Sequence, residues 1–233
     1  MVNGKLYLIP CVIAEGANHT ISPQVLSVLP SIKIFLAENV RTARRFLSSL
    51  KVYDSIEELT FHVLDKDTKD IGSLMSSVPL KTENIGVISE SGCPGVADPG
   101  SLAVAYAHEN NIQVVPLVGP SSLLLALMAS GLNGQQFIFH GYLPIDSKQA
   151  SEAIRTMEKE SKKKSQTQIF IETPYRNNQM FDLLLKTLQK TTLLTVAIDI
   201  TGKQESVRTL TIAKWQSNKV NWPKEPAVFL LLA

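Results

Sequence analysis

The sequence predicts an α/β protein built as two α/β domains, a parallel-sheet N-terminal domain and a mixed-sheet C-terminal domain. Three observations carry this. Residues 84–131 read as strand, small-residue loop and helix, twice in succession: Ile85, Val87 and Ile88 form a short buried strand, Ser101–Asn110 has helical character, and Ile112–Leu117 is a second buried strand before an apolar helix that stops at Gly131. A strand, a crossover helix and a second strand make a parallel, right-handed unit. The chain of 233 residues, 44% of them hydrophobic, exceeds one typical domain, and two domains of roughly 115 residues fit it, divided as 1–117 and 118–233. Finally, Val207–Ile212 and Ala227–Leu231 read as closing strands whose short spacing implies antiparallel neighbours, hence a mixed second sheet.

In chain order, Lys5–Pro10 is a first buried strand, followed by a loop over Cys11–Thr20. Ser22-Pro23 opens a short helix, with proline in its first turn, and Pro30 ends it. Ile32–Ala37 is a second strand, and Glu38-Asn39-Val40-Arg41 marks its end and the cap of the next helix, on which Arg44 and Arg45 fall as surface charge. Leu59, Phe61 and Val63 alternate as a third strand, followed by Asp65-Lys66-Asp67. In the second half, Phe137–His140 is a strand leading into Gly141-Tyr142-Leu143-Pro144. Ser147–Lys164 is a charged helix whose last residues hold four lysines among six, either a solvated helix end or a phosphate contact. Gln168–Ile171 is a strand, Glu172–Arg176 its turn into a helix, and Leu193–Ile200 another strand.

The loops carry the chemistry. Ser91–Gly100 (SGCPGVADPG) and Gly119-Pro120-Ser121-Ser122 are expected to leave the carboxyl ends of neighbouring parallel strands, where open α/β sheets bind ligands. Glycines let a backbone approach a ligand, prolines fix the loop beforehand, and Ser121 and Ser122 sit where a helix N-cap belongs. Neither loop is a P-loop, since no GKS or GKT occurs, and neither is GxGxxG. Two such loops in one unit point to a cofactor site. Histidines 19, 62, 108 and 140 show no metal-ligand spacing, so no metal is expected, and no GxSxG elbow supports hydrolase chemistry. The net charge of +2 creates no global field for nucleic acid. No apolar run reaches the ~20 residues of a membrane span and no signal peptide precedes the first strand. Two cysteines, Cys11 and Cys93, give no disulfide framework, which fits a reduced cytoplasmic setting; both are expected at the carboxyl-end face of the first sheet as free thiols.

SESGCPGVADPG, then VVPLVGPSSLLLALMASGL, then FHGYLP resembles the tetrapyrrole methylase family of S-adenosylmethionine (SAM) dependent methyltransferases. Within it the likeness is to the branch that methylates a ribose hydroxyl of small-subunit ribosomal RNA, which carries S-D-A-G-T-P-x-x-x-D-P-G, V-V-P-x-P-G-P, G-L and G-F-L-P in this order. Glu38 and Arg41 match its A-E-D-T-R, with Asn39 in place of the aspartate, and Glu172-Thr173-Pro174-Tyr175-Arg176 resembles its E-S-P-H-R. Thr201 and Glu205 fall where that branch has L-T-K-x-x-E. The chain departs in its first loop, which reads PCVIAEGANHT against P-T-P-I-G-N-L, and at Asp65–Asp67, which lacks the histidines of H-D-H-N-E.

The resemblance implies a cofactor cleft between the two domains. SAM is then expected on Pro10, Ser91, Gly92, Pro94, Asp98, Gly119, Pro120, Ser121, Ser122, Tyr142, Leu143 and Pro144. It implies substrate contacts at Glu38, Arg41, Glu172 and Arg176; for Glu38–Arg41 the substrate role is preferred to a solvated ion pair because the segment lies at the carboxyl end of the sheet, whereas for Glu172–Arg176 a buried pair holding the turn explains the residues equally. The methyl group of SAM is already activated, so positioning supplies most of the help, and a ribose hydroxyl must also lose a proton. Glu38, Glu90, Asp98 and Glu172 are candidate bases that the sequence does not rank, and no catalytic residue is assigned. The implied partners are ribosomal RNA or the small ribosomal subunit and a second copy of the chain in a homodimer, with no membrane and no metal. Two alternatives stay open: methylation of a tetrapyrrole or another molecule, and a non-catalytic SAM-binding module.

Overall fold

The computed structural model describes residues 4–233 apart from 66, 67, 69 and 219. Lys66 and Asp67 of the third-strand turn therefore lie outside the described residues. The chain divides into two compact units, Met1–Ser121 and Ser122–Ala233.

In the first unit the elements alternate as β1 (Lys5–Ile9), α1 (Pro23–Val28), β2 (Ile34–Ala37), α2 (Val40–Leu50), β3 (Thr60–Val63), α3 (Ile71–Ser76), β4 (Ile85–Ile88), α4 (Gly100–Glu109) and β5 (Gln113–Pro116). The five strands pair in the order β3-β2-β4-β1-β5, all parallel. Three of the four described helices, α1, α2 and α3, start at a capping side chain. Ser22 Oγ accepts from Val25 N ahead of Pro23, and Asn39 Oδ1 accepts from Thr42 N at 3.2 Å. α2 ends at Lys51, in the left-handed conformation at φ 55°. Strand side chains alternate between two cores. Val25, Phe46 and Leu47 of α1 and α2 pack with Ile9 and Phe35 on one face, whereas Met75, Ala103 and Ala107 of α3 and α4 pack with Leu6, Leu36 and Val87 on the other. The sheet is thus doubly wound.

The sequence places the loops after β4 and β5 at neighbouring strand ends, but in the structure the two strands are separated by β1. The crossover helix α4 passes over one strand, because β1 already occupies the place beside β4. The consequence for function is favourable: β1 and β4 are adjacent, and their following helices lie on opposite faces, so their loops diverge at a topological switch point.

The second unit runs α5 (Ser122–Ser130), β6 (Phe137–Tyr142), α6 (Ser147–Lys164), β7 (Thr167–Glu172), α7 (Asn177–Thr187), β8 (Leu193–Ile198), β9 (Ser206–Thr211), α8 (Ile212–Gln216) and β10 (Ala227–Leu232). Its sheet has the order β6-β7-β10-β8-β9; β6 and β7 are parallel and the other pairs antiparallel. The sheet is mixed, as expected, but the two closing strands do not pair with each other. β9 takes the edge beside β8, and the continuously apolar β10 is buried between β7 and β8. α6 is capped by Asp146, whose Oδ1 accepts from Gln149 N at 2.9 Å, and ends at Ser165 with three lysines in its last turn, where a helix dipole favours cations. Phe170, Phe229, Trp215 and Trp222 fill one core with Phe181 and Leu184 of α7. A one-residue bulge between Phe139 and Tyr142 is turned by Gly141 at φ 70°. Among the described residues no helix is long and apolar enough to cross a membrane, and no group of three or more His, Cys, Asp or Glu could hold a metal ion.

Candidate functional site

In the first unit the strand register brings the loop residues together. Ile9 pairs with Ile88 and Ala37 with Ile88, so Pro10, Ser89 and Glu38 follow at adjacent strand ends. The ladder extends one step into the loops, where Cys11 N donates to Gly92 O at 2.8 Å. Within the loop after β4, the buried Ser89 donates its hydroxyl to Ser91 O at 2.8 Å and accepts from Ser91 N at 3.1 Å. Asp98 Oδ1 accepts from both Gly95 N (2.9 Å) and Gly100 N (2.7 Å), closing the turn that leads into α4. Gly92 and Gly95 have φ of 66° and 80°, which only glycine adopts readily. The loop is therefore held by its own side chains, and the aspartate among the base candidates is one of its fasteners.

The turn after β5 closes on the same place. Cys93 Sγ donates to Pro120 O at 3.4 Å, and Ser22 Oγ donates to Val118 O at 2.8 Å. A Cβ at Gly119 would overlap the Cβ and Cγ of Pro10. That glycine lets two loops pack against each other, a requirement invisible in the sequence because the partners are far apart in the chain. At Gly92 a Cβ would meet only Pro120 O, at 3.5 Å, so the space along that backbone is open to a ligand. Both cysteines are free; Cys11 is buried and Cys93 half-buried. Burial pushes both thiols up from their ordinary value, and the charge of Asp98 adds to the shift at Cys11. Arg41 is exposed on α2, Glu38 is half-buried and Glu90 exposed.

In the second unit the sequence placed Glu172 and Arg176 together, and the structure makes them a brace. Glu172 is buried, its Oε1 accepts from Thr173 N at 2.7 Å, and its Oε2 lies 3.2 Å from Arg176 Nη2. That contact is close enough for an ion pair but off-line for a hydrogen bond, since Oε2 lacks a hydrogen-bond partner. Arg176 Nη2 also donates to Pro144 O at 3.2 Å, tying the loop after β7 to the Tyr142-Leu143-Pro144 loop after β6. Leu143 is buried and Tyr142 exposed. Thr201 and Glu205 are joined as well, Thr201 N donating to Glu205 Oε2 at 2.6 Å. The sequence reading missed Asn177 and Asn178: Asn177 Nδ2 donates to Glu225 O at 2.6 Å, while Asn178 accepts from Trp222 N and donates to Trp222 O. Their partners lie more than forty residues away, and no local pattern marks them.

No protein-family model matches the chain. The ribosomal RNA small subunit methyltransferase I of Buchnera aphidicola subsp. Baizongia pistaciae is 30% identical over 232 residues, covering 98% of this chain and 76% of that protein. The protein of the same name from Vibrio cholerae is 28% identical over 229 residues, 97% of this chain and 76% of its own. Among solved structures, a uroporphyrin-III-C-methyltransferase from Thermus thermophilus matches with a TM-score of 0.57 at 15% identity, covering 99% of this chain and 93% of that one. The methyltransferase CobJ matches with a TM-score of 0.61 at 16% identity, covering 98% and 94%. At such identities the structural likeness establishes the fold.

Proposed function

We propose that this chain, which belongs to the ribosomal RNA small subunit methyltransferase I family, is a SAM-dependent methyltransferase that acts on a ribose hydroxyl of small-subunit ribosomal RNA. The observation that carries the proposal is the likeness along almost the whole chain, shared with relatives of one name. SAM, when bound, supplies an already activated methyl group. The chain's own part is to hold the reactants and to accept a proton. Pro10, Ser91, Gly92, Pro94, Asp98, Gly119, Pro120 and Ser121 are the proposed cofactor residues of the first unit. The open backbone at Gly92 and the fastened loop around Asp98 fit such a ligand. Ser122, Tyr142, Leu143 and Pro144 are the proposed contacts from the second. Preorganised loops of this kind act by positioning, which costs no rearrangement at the moment of reaction.

On the substrate side we propose Glu38, Arg41 and Arg176, with Glu172 acting through Arg176 because its carboxylate is buried. Glu38 and Glu90, which follow the adjacent strands β2 and β4, are the proposed base candidates. A small ribosomal subunit as substrate places the protein in the cytoplasm. A homodimer is proposed from the family; exposed Leu124 and Met128, one turn apart on α5, support it.

The test is mass spectrometry of ribosomal RNA from a strain lacking the gene and from the same strain with the gene restored. Loss and recovery of one ribose methyl group is the expected result. Unchanged RNA together with methylation of an added tetrapyrrole would move the activity to small molecules, and SAM binding with no transfer to either would leave a binding module.

A further inference from the structure

Three loops at one end of the second sheet present side chains that methyl transfer itself does not need. The loop after β6 carries Ile145, 82% exposed, and the loop after β7 carries Tyr175, 84% exposed. The loop before β10 brings Lys224 Nζ to 5.6 Å from the centre of the Tyr175 ring. Single exposed apolar residues are ordinary on protein surfaces. The support beneath these is not. The buried Glu172 carboxylate holds Arg176, and Arg176 holds Pro144 O, so the residues bearing Tyr175 and Ile145 are fastened to each other. Burying a carboxylate for this purpose works against stability. Asn177 and Asn178, at the start of α7, clasp Glu225 and Trp222 on either side of Lys224. The loops that carry an aromatic ring and a cation are thereby fastened, and both side chains face solvent.

We propose that Tyr175 and Lys224 form a platform for one unpaired nucleobase of the RNA substrate, the base stacking on the free face of the ring and the ammonium meeting a neighbouring phosphate. Single-stranded RNA is recognised by stacking on aromatic side chains combined with cationic backbone contacts. A second copy of the chain fits this surface poorly, because a stable dimer buries roughly 800 Å² per partner, whereas a Tyr and an Ile supply a fraction of that. The platform rests on the RNA-methylation proposal and refines its substrate to RNA with an accessible unpaired base.

The experiment uses the full chain, a fluorescently labelled single-stranded oligonucleotide copied from small-subunit RNA, and calorimetry with SAM on the same samples. Tyr175→Ala is expected to weaken RNA binding by at least ~5-fold, the effect of losing one stacked base, while Tyr175→Phe retains most of it and neither changes SAM affinity. Lys224→Gln is expected to weaken binding and to reduce the salt slope by ~0.7, one phosphate contact on a single strand. Lys163→Gln, at the exposed end of α6, should leave both unchanged. Unaltered RNA affinity in Tyr175→Ala overturns the platform but not the methyltransferase. A change in oligomeric mass on light scattering, with RNA affinity intact, overturns it in favour of a self-contact. No RNA binding and no RNA methylation by the unmodified protein overturn both together.

Discussion

At Gly119 the constraint comes from Pro10, whose ring atoms would overlap any added Cβ. Gly119→Ala is therefore expected to destabilise the protein by about 1–3 kcal/mol through overpacking, before any ligand is considered. Gly134→Ala, where a Cβ meets nothing, should change stability by no more than about 0.5 kcal/mol. Thermal denaturation of both variants checks the contrast, and equal melting temperatures would refute the packing role of Gly119. Asp98 invites a second comparison, because its Oδ1 satisfies two backbone N–H groups. Asp98→Ala should cost about 1–3 kcal/mol, while Asp98→Asn keeps an acceptor and should cost less. The cysteines add a pH dependence. The folded state raises the Cys11 thiol above its ordinary 9.0 and the Tyr53 hydroxyl above its ordinary 10.0, both by burial first. Above 9.0 the unfolded chain releases these protons while the folded chain keeps them, so stability falls as pH rises beyond that value. Denaturation midpoints on either side of pH 9.0 should show the decline, and only the double variant Cys11→Ala with Cys93→Ala should delay its onset to the range of Tyr53.

Elements were legible where their causes are local. Ser22 and Asn39 announce helix starts that the structure confirms through their caps, and Ser147–Lys164 has the bounds its charge pattern suggested. The position of β10 between β7 and β8 was not legible, since strand order depends on packing partners far along the chain and closing strands carry no local mark of it. The same holds inside the candidate site. Glycine and proline revealed the loops, but the fastening of Gly119 on Pro10, and of Arg176 on Pro144, depends on contacts across the chain. The Glu172–Arg176 pair can be tested by a double-mutant cycle. Arg176→Leu leaves a buried carboxylate without its cation and should cost about 3–5 kcal/mol, whereas the double variant Glu172→Met with Arg176→Leu should recover most of the loss. Chemical denaturation of the two single variants and the double variant measures the coupling; additive losses would mean that the pair braces nothing.

For the whole molecule, charge sets the terms on which RNA is met. Twenty-three Lys and Arg against 21 Asp and Glu leave a net charge of only +2, so long-range attraction to a polyanion is weak. Affinity for ribosomal RNA must then come from local contacts, such as exposed Arg41 on α2 and Lys224 beside Tyr175, rather than from a cationic face. Each phosphate neutralised on a single strand contributes about −0.7 to the slope of log affinity against log salt. With about two to four such contacts, the expected slope lies near −1.4 to −2.8. Titration of labelled small-subunit RNA at several salt concentrations measures this slope. A slope steeper than about −5 would require more phosphate contacts than these cations provide, and would place the RNA on another surface, with the lysine-rich end of α6 the first to examine.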